Sequence, residues 1–245
     1  MDLDRPDSKP APPAAKPSWN TRAVVLFVVI LTLLMGIGLA SSLYRPAPPS
    51  GLPSDPSVVA ALELLGGSIE VEAGDLRFAS STGESRGVPN FADSARARRL
   101  TEAAFRLEQG RAKHRFDPRF DCLLGHVALA SDGLELAERR YRAALSLTPR
   151  YGEARLGLGV ALARQAATDG ERASERALRL QAIAQFAAVE EHDPFYRPAL
   201  YDRVLLLLDV GRMAEARRLA EHYASLEPGS AWTASLRRRL EQVSI

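Results

Sequence analysis

The chain has 245 residues, of which 32 are Lys or Arg and 30 are Asp or Glu, for a formal net charge of +2. Phosphate binding normally shows as clustered excess positive charge, so this balance argues against a nucleic-acid partner. Cys122 is the single cysteine, which excludes an internal disulfide.

Residues 1–21 are rich in Pro, Ala and charge with no apolar period, and they read as a disordered tail. The run 23–43 that follows carries no charge and is dominated by Val, Leu and Ile. At about 1.5 Å per residue its 21 residues reach about 31 Å as a helix, enough to cross the hydrocarbon core of a bilayer. A single transmembrane helix is therefore expected over 22–44. Arg5, Lys9, Lys16 and Arg22 precede it and only Arg45 follows closely, so the N-terminus is expected in the cytoplasm and the rest outside. Gly38-Leu39-Ala40 before Ser41 also fits a signal-peptide cleavage site. The apolar run is long for a signal core, and an uncleaved anchor is the favoured reading.

Five prolines between 45 and 56 predict an extended spacer. For 57–88, the preceding Ser54-Asp55-Pro56 predicts a short helix start and Gly66-Gly67 its stop. Ile69, Val71, Leu76 and Phe78 around Ala73-Gly74 predict a short hairpin, and 79–88 reads as loop. Over 89–117, Asn90 caps a predicted leading helix with Leu100, Ala103, Ala104 and Leu107 on one face. Arg96, Arg98, Arg99, Arg106, Arg111, Lys113 and Arg115 make that helix basic. The commonest reading of such charge is a solvated face, with lipid headgroups or an acidic partner as the alternative.

From 118 to 245 the sequence repeats. Gly125 and Gly159 are 34 residues apart, as are Pro194 and Pro228. One block holds Leu124-Gly125, Ala137, Tyr141, Ala144 and Pro149. The next holds Leu158-Gly159, Ala182, Phe186, Val189 and Pro194, and the third Ala216, Ala220, Ala224 and Pro228. In all three, Ala and Pro are twelve residues apart. Three blocks in register resemble the tetratricopeptide-repeat family, whose signature is L-G, A-x3-F and P on this period. The resemblance implies an all-α solenoid of about three repeats plus a capping helix, here behind one N-terminal transmembrane helix. Trp232, Leu236 and Leu240, four apart, predict the capping helix. Two departures stand out. Pro149 and Pro194 are 45 residues apart, so an insertion near 166–174 either enlarges a loop or lengthens a helix. The third block has Arg203-Val204 where the others have Leu-Gly.

Neither a Gly-rich phosphate loop nor an H-E-x-x-H is present. No catalytic, cofactor-binding or metal-binding residue is expected, nor a small-molecule substrate. Cys122 and His126 have the four-residue spacing of two metal ligands, but a site usually needs three or four. They read instead as core or groove residues. Glu190-Glu191-His192-Asp193 reads as a solvated helix end.

In the family the first helix of each pair lines a concave surface that binds extended or helical peptides. The matching positions are Arg119, Cys122, His126 and Leu129, then Leu156, Val160 and Ala163, then Tyr201, Leu205 and Leu208. Their apolar character predicts a protein partner offering an apolar or amphipathic helix, rather than a clamped carboxylate. The groove is either free or filled from within, for which 57–65 is the candidate. The expected function is a noncatalytic, membrane-anchored adaptor or assembly factor. The alternative is a permanent structural subunit of a larger membrane complex. The predominance of Arg over Lys, with abundant Ala, points to a GC-rich bacterial genome. The expected location is the bacterial inner membrane, with the repeats in the periplasm.

Overall fold

The computed structural model describes residues 51–69, 71, 74–80, 83–87 and 94–243. The predicted tail, the 22–44 segment, the first half of the spacer and Asn90 lie outside the described residues. Among the described residues no helix is long and apolar enough to cross a membrane.

Helix α1 spans Pro56–Leu64. Asp55 caps it by accepting the Ser57 N–H, and Pro56 sits in the first turn, where its missing N–H costs nothing. Two strands follow, β1 (Gly74–Ser80) and β2 (Gly83–Gly87), paired antiparallel with Phe78 opposite Ser85 and Ser80 opposite Gly83. The hairpin is therefore displaced from the sequence reading. Gly74 opens the first strand instead of forming the turn, and 83–87 is a strand instead of loop. The sequence Gly-Glu-Ser-Arg-Gly of β2 contains no apolar residue, so it lacks the alternation by which a half-buried strand is recognised.

Helix α2 (Ser94–Lys113) packs on α1 and on the first helix of the solenoid. The solenoid then runs as three pairs and a cap. These are α3 (Pro118–Ala130) with α4 (Leu134–Leu147), α5 (Gly152–Thr168) with α6 (Arg172–Ala187), α7 (Tyr196–Asp209) with α8 (Met213–Leu226), and the closing α9 (Ala231–Gln242). Each helix packs on the next, and α3, α5 and α7 also touch along the inner face. The extra residues of the second pair lengthen both helices. They run to 17 and 16 residues, against 13 and 14 in the first pair.

What brings the pairs together is small residues facing aromatic ones. A Cβ on Gly125 would lie 2.6 Å from the Tyr141 ring, and one on Gly157 would lie 2.4 Å from the same ring. A Cβ on Gly159 would lie 2.3 Å from Phe186. Tyr141 is thus wedged between α3 and α5, and Gly157 is as necessary to it as the predicted Gly125. At the corresponding positions of the third pair the exchange is reciprocal. Val204 stands where the others have glycine, and Ala220 where they have an aromatic ring, so the bulk moves from one helix to the other.

That exchange can be tested in the second pair. Gly159→Val alone should cost about 2–3 kcal/mol through overpacking, and Phe186→Ala alone about 3–5 kcal/mol through the cavity it leaves. The double variant, which copies the third pair, should fall short of the sum by more than about 1 kcal/mol in urea unfolding. Strict additivity would mean that the two positions do not share one space.

Candidate functional site: a concave surface covered by its own strand

The inner face of the solenoid is occupied by β1, which lies against α5 and α7. Three successive residues of the strand reach different helices. Leu76 is buried and, with Ala163 and Leu205, lines a cavity beside the strand. Phe78 is fully buried, and its ring meets the His126 imidazole edge-on, with centroids 5.2 Å apart. Between them Arg77 points the other way, as strand alternation requires.

Arg77 contacts three helices. Its backbone N–H donates to Asp202 Oδ1 at 2.5 Å. Its Nη1 donates to the Tyr223 hydroxyl at 2.6 Å and to Glu227 Oε2 at 2.9 Å. The guanidinium also lies 5.0 Å from the centre of the Trp232 ring, within cation–π range. Tyr223 donates its own proton to Glu227 Oε2 at 2.6 Å. Burial works against ionisation of Glu227, but the bonds from Tyr223 and Arg77 outweigh it and hold the carboxyl below its usual range. At the start of the strand Asp75 pairs with Arg239 of α9 at 2.7 Å. The strand is thus fixed to α7, α8 and α9 by directional polar bonds as well as by apolar burial.

Asp202 is fully buried, and its Oδ2 has no hydrogen-bond partner among the described residues. Burial pushes its carboxyl well above the ordinary range, against the pull of the Arg77 N–H and guanidinium.

A second polar group lies at the α3–α5 contact. His126 Nδ1 is 2.8 Å from the Tyr141 hydroxyl and Nε2 is 3.0 Å from Glu153 Oε1. Cys122 Sγ is 3.8 Å from Nε2, and the Tyr151 hydroxyl donates to Glu153 Oε2 at 2.9 Å. All five residues are buried. Burial raises the Cys122 thiol and the Tyr141 and Tyr151 phenols well above their ordinary ranges, so none of them is an activated nucleophile at neutral pH.

The residues expected to line an open groove are therefore distributed differently. His126, Ala163, Tyr201 and Leu205 lie around β1, the last two together with Asp75 around a second small cavity. Leu129, Leu156, Val160 and Leu208 are buried among the helices. Cys122 belongs to the polar group just described. Arg119 is turned toward Asp117, at 2.8 Å, and the Leu52 carbonyl. The occupant also differs from the segment proposed for internal filling. Helix α1, which contains most of 57–65, packs on α2, while β1 takes the inner face. A short helix carries its apolar residues to one neighbour, whereas a strand offers alternate side chains and a free backbone edge to several.

Sequence reasoning missed Arg77, Asp202, Tyr223 and Glu227. One signal was present: Asp202 interrupts the apolar run of α7 beside Tyr201, and a lone acid in such a run needs a partner. Glu153 was missed as well. An acid in the first turn of a helix normally answers the helix dipole, which conceals its inward direction.

Among solved structures, the crystal structure of a thermophilic TPR protein from Thermus thermophilus is similar to this chain. The TM-score is 0.49 and the identity 20%, over 60% of this chain and 74% of that one. No family model matches the sequence, and no curated protein matches it. The class is defined by the molecule's own construction. Three successive helix pairs, the first two packed through glycine–aromatic contacts on a repeat spacing and the third closed by a capping helix, make a tetratricopeptide-like helical-repeat domain.

The raised Asp202 carboxyl sets a pH dependence. The folded chain keeps this proton where the unfolded chain releases it, so stability falls as pH rises above the ordinary Asp value of about 3.9 toward the raised one. Asp202→Asn keeps a carbonyl to accept the Arg77 N–H and removes the titration. Between about pH 4 and 8 its unfolding free energy should decline less than that of the native chain, by chemical denaturation. Parallel curves would show that Asp202 is ionised in the folded state.

Proposed function

We propose that the protein is a noncatalytic adaptor or assembly factor that binds an extended segment of a protein partner on the concave surface now covered by β1. The proposed setting is the bacterial inner membrane, with 23–43 as an uncleaved anchor and the repeats in the periplasm. The anchor and its orientation rest on the apolar run and the basic residues before it.

One observation carries the binding role. The inner face already receives an extended strand, with a buried carboxyl group for a backbone N–H and a separate seat for an arginine side chain. These are the elements of recognition of an extended peptide, main-chain hydrogen bonding with pockets for alternate side chains. They favour such a partner over the apolar helix that the sequence suggested. The number of bonds that Arg77 makes supports a second reading, in which β1 never leaves and the protein is a fixed structural subunit.

Both readings, and the orientation, are separated by one experiment with a labelled peptide of residues 74–80. In the full-length variant Arg77→Ala with Phe78→Ala, the tethered strand no longer competes, and the peptide should bind about tenfold or more tighter than to the native chain. The variant in right-side-out spheroplasts should capture the peptide, and inverted vesicles should not. Capture by inverted vesicles alone reverses the orientation. No binding by the detergent-solubilised variant, with its helical circular dichroism retained, leaves the structural subunit.

A further inference from the structure

The Cys122, His126 and Glu153 group is not explained by the seat of the strand. Three ligand-type atoms from two helices, one sulfur, one imidazole nitrogen and one carboxylate oxygen, lie within 4.8 Å of one another. We propose that these residues form a tetrahedral site for a divalent cation of the zinc class, joining α3 to α5.

Geometry supports this first. Metal–ligand distances of about 2.0–2.3 Å in a tetrahedron put neighbouring ligand atoms roughly 3.4–3.6 Å apart. The observed spacings are 3.0 Å between His126 Nε2 and Glu153 Oε1 and 3.8 Å between Nε2 and Cys122 Sγ, and all three ligand atoms lie within 4.8 Å of one another, so a cation draws them into place by shifts of about an ångström. Cys122 and His126 stand one turn apart on α3, and Glu153 in the first turn of α5 supplies the ligand that the two-residue spacing lacked.

The surroundings orient the ligands. His126 Nδ1 lies 2.8 Å from the Tyr141 hydroxyl, whose oxygen can accept the Nδ1 proton and leave the Nε2 lone pair directed at the site. Tyr141 is itself locked between Gly125 and Gly157. Tyr151 holds the far carboxylate oxygen of Glu153 at 2.9 Å and leaves Oε1 toward His126. A ligating imidazole and carboxylate normally have partners of this kind.

Charge and softness give the class of ion. A thiolate, a carboxylate and a neutral imidazole carry two negative charges, which a divalent cation cancels within a buried space. Thiolate and imidazole suit zinc-like ions, while magnesium and calcium prefer oxygen shells. Such an ion would pin the first two repeats together directly beneath the Phe78 ring, which rests on His126.

Cobalt(II) is the probe, because tetrahedral thiolate coordination gives it a charge-transfer band in the near ultraviolet and intense visible bands. The reduced, full-length protein is titrated with cobalt, both as isolated and after refolding with the metal present, since the site is buried. The expected result is saturation of both bands at one cobalt per chain, reversal by zinc, and a higher melting temperature with zinc than with chelator. Cys122→Ser should abolish the charge-transfer band and the thermal shift. Tyr141→Phe should weaken cobalt binding by about 10–100-fold while keeping the band shape. Absence of the bands from both preparations, or an unchanged spectrum and thermal shift in Cys122→Ser, overturns the proposal and leaves a hydrogen-bonded His–Glu pair.

Discussion

An α-solenoid built from helix pairs buries the contacts between successive pairs and leaves its inner face to solvent or to a separate cover. Here the cover is β1, and the polar bonds of Arg77 determine where it sits. Apolar burial alone would let a short strand slide, because Leu76 and Phe78 meet surfaces with few directional features. The Arg77 N–H on Asp202 and the guanidinium on Tyr223 and Glu227 fix its position, and alternation then sends Leu76 and Phe78 to their places. Helices α7, α8 and α9 are linked to the N-terminal hairpin in this way, across more than a hundred residues of sequence.

The same arrangement bears on function. A surface that holds its own strand by a backbone contact to a buried carboxyl group and an arginine seat has the parts that would hold an extended chain. Phe78 joins this surface to the second polar group, since its ring rests on the imidazole shared by Tyr141 and Glu153. Anything that stiffens or shifts His126 therefore acts on the floor beneath the strand. Two groups that look separate in the sequence are in contact through one aromatic ring.

The repeats were legible because close helix packing leaves local marks. Gly125 and Gly159, the alanines and the prolines recur at fixed spacing, since each faces the same steric requirement. The third pair hid its equivalence by exchanging large for small at Val204 and Ala220, which a search for glycine records only as a loss. The destination of β1 was not legible. Arg77 and Asp202 are 125 residues apart, and no local pattern ties one to the other. Glu153 resembled an ordinary first-turn acid, and its inward direction emerges only when α3 and α5 are placed side by side. Local propensity describes elements well, but it says little about which element covers an open face.

The occupied inner face is tested most directly by amide hydrogen exchange on the full-length chain, resolved at Arg77 and Phe78. A strand seated as described buries the Arg77 N–H on the Asp202 carboxyl group away from water. Its exchange should be slowed by orders of magnitude, into the range of the amides in the middle of α5 and α7. Exchange of both strand amides at the rate of an unprotected chain, with α5 and α7 still protected, would show that β1 does not occupy the concave surface in solution.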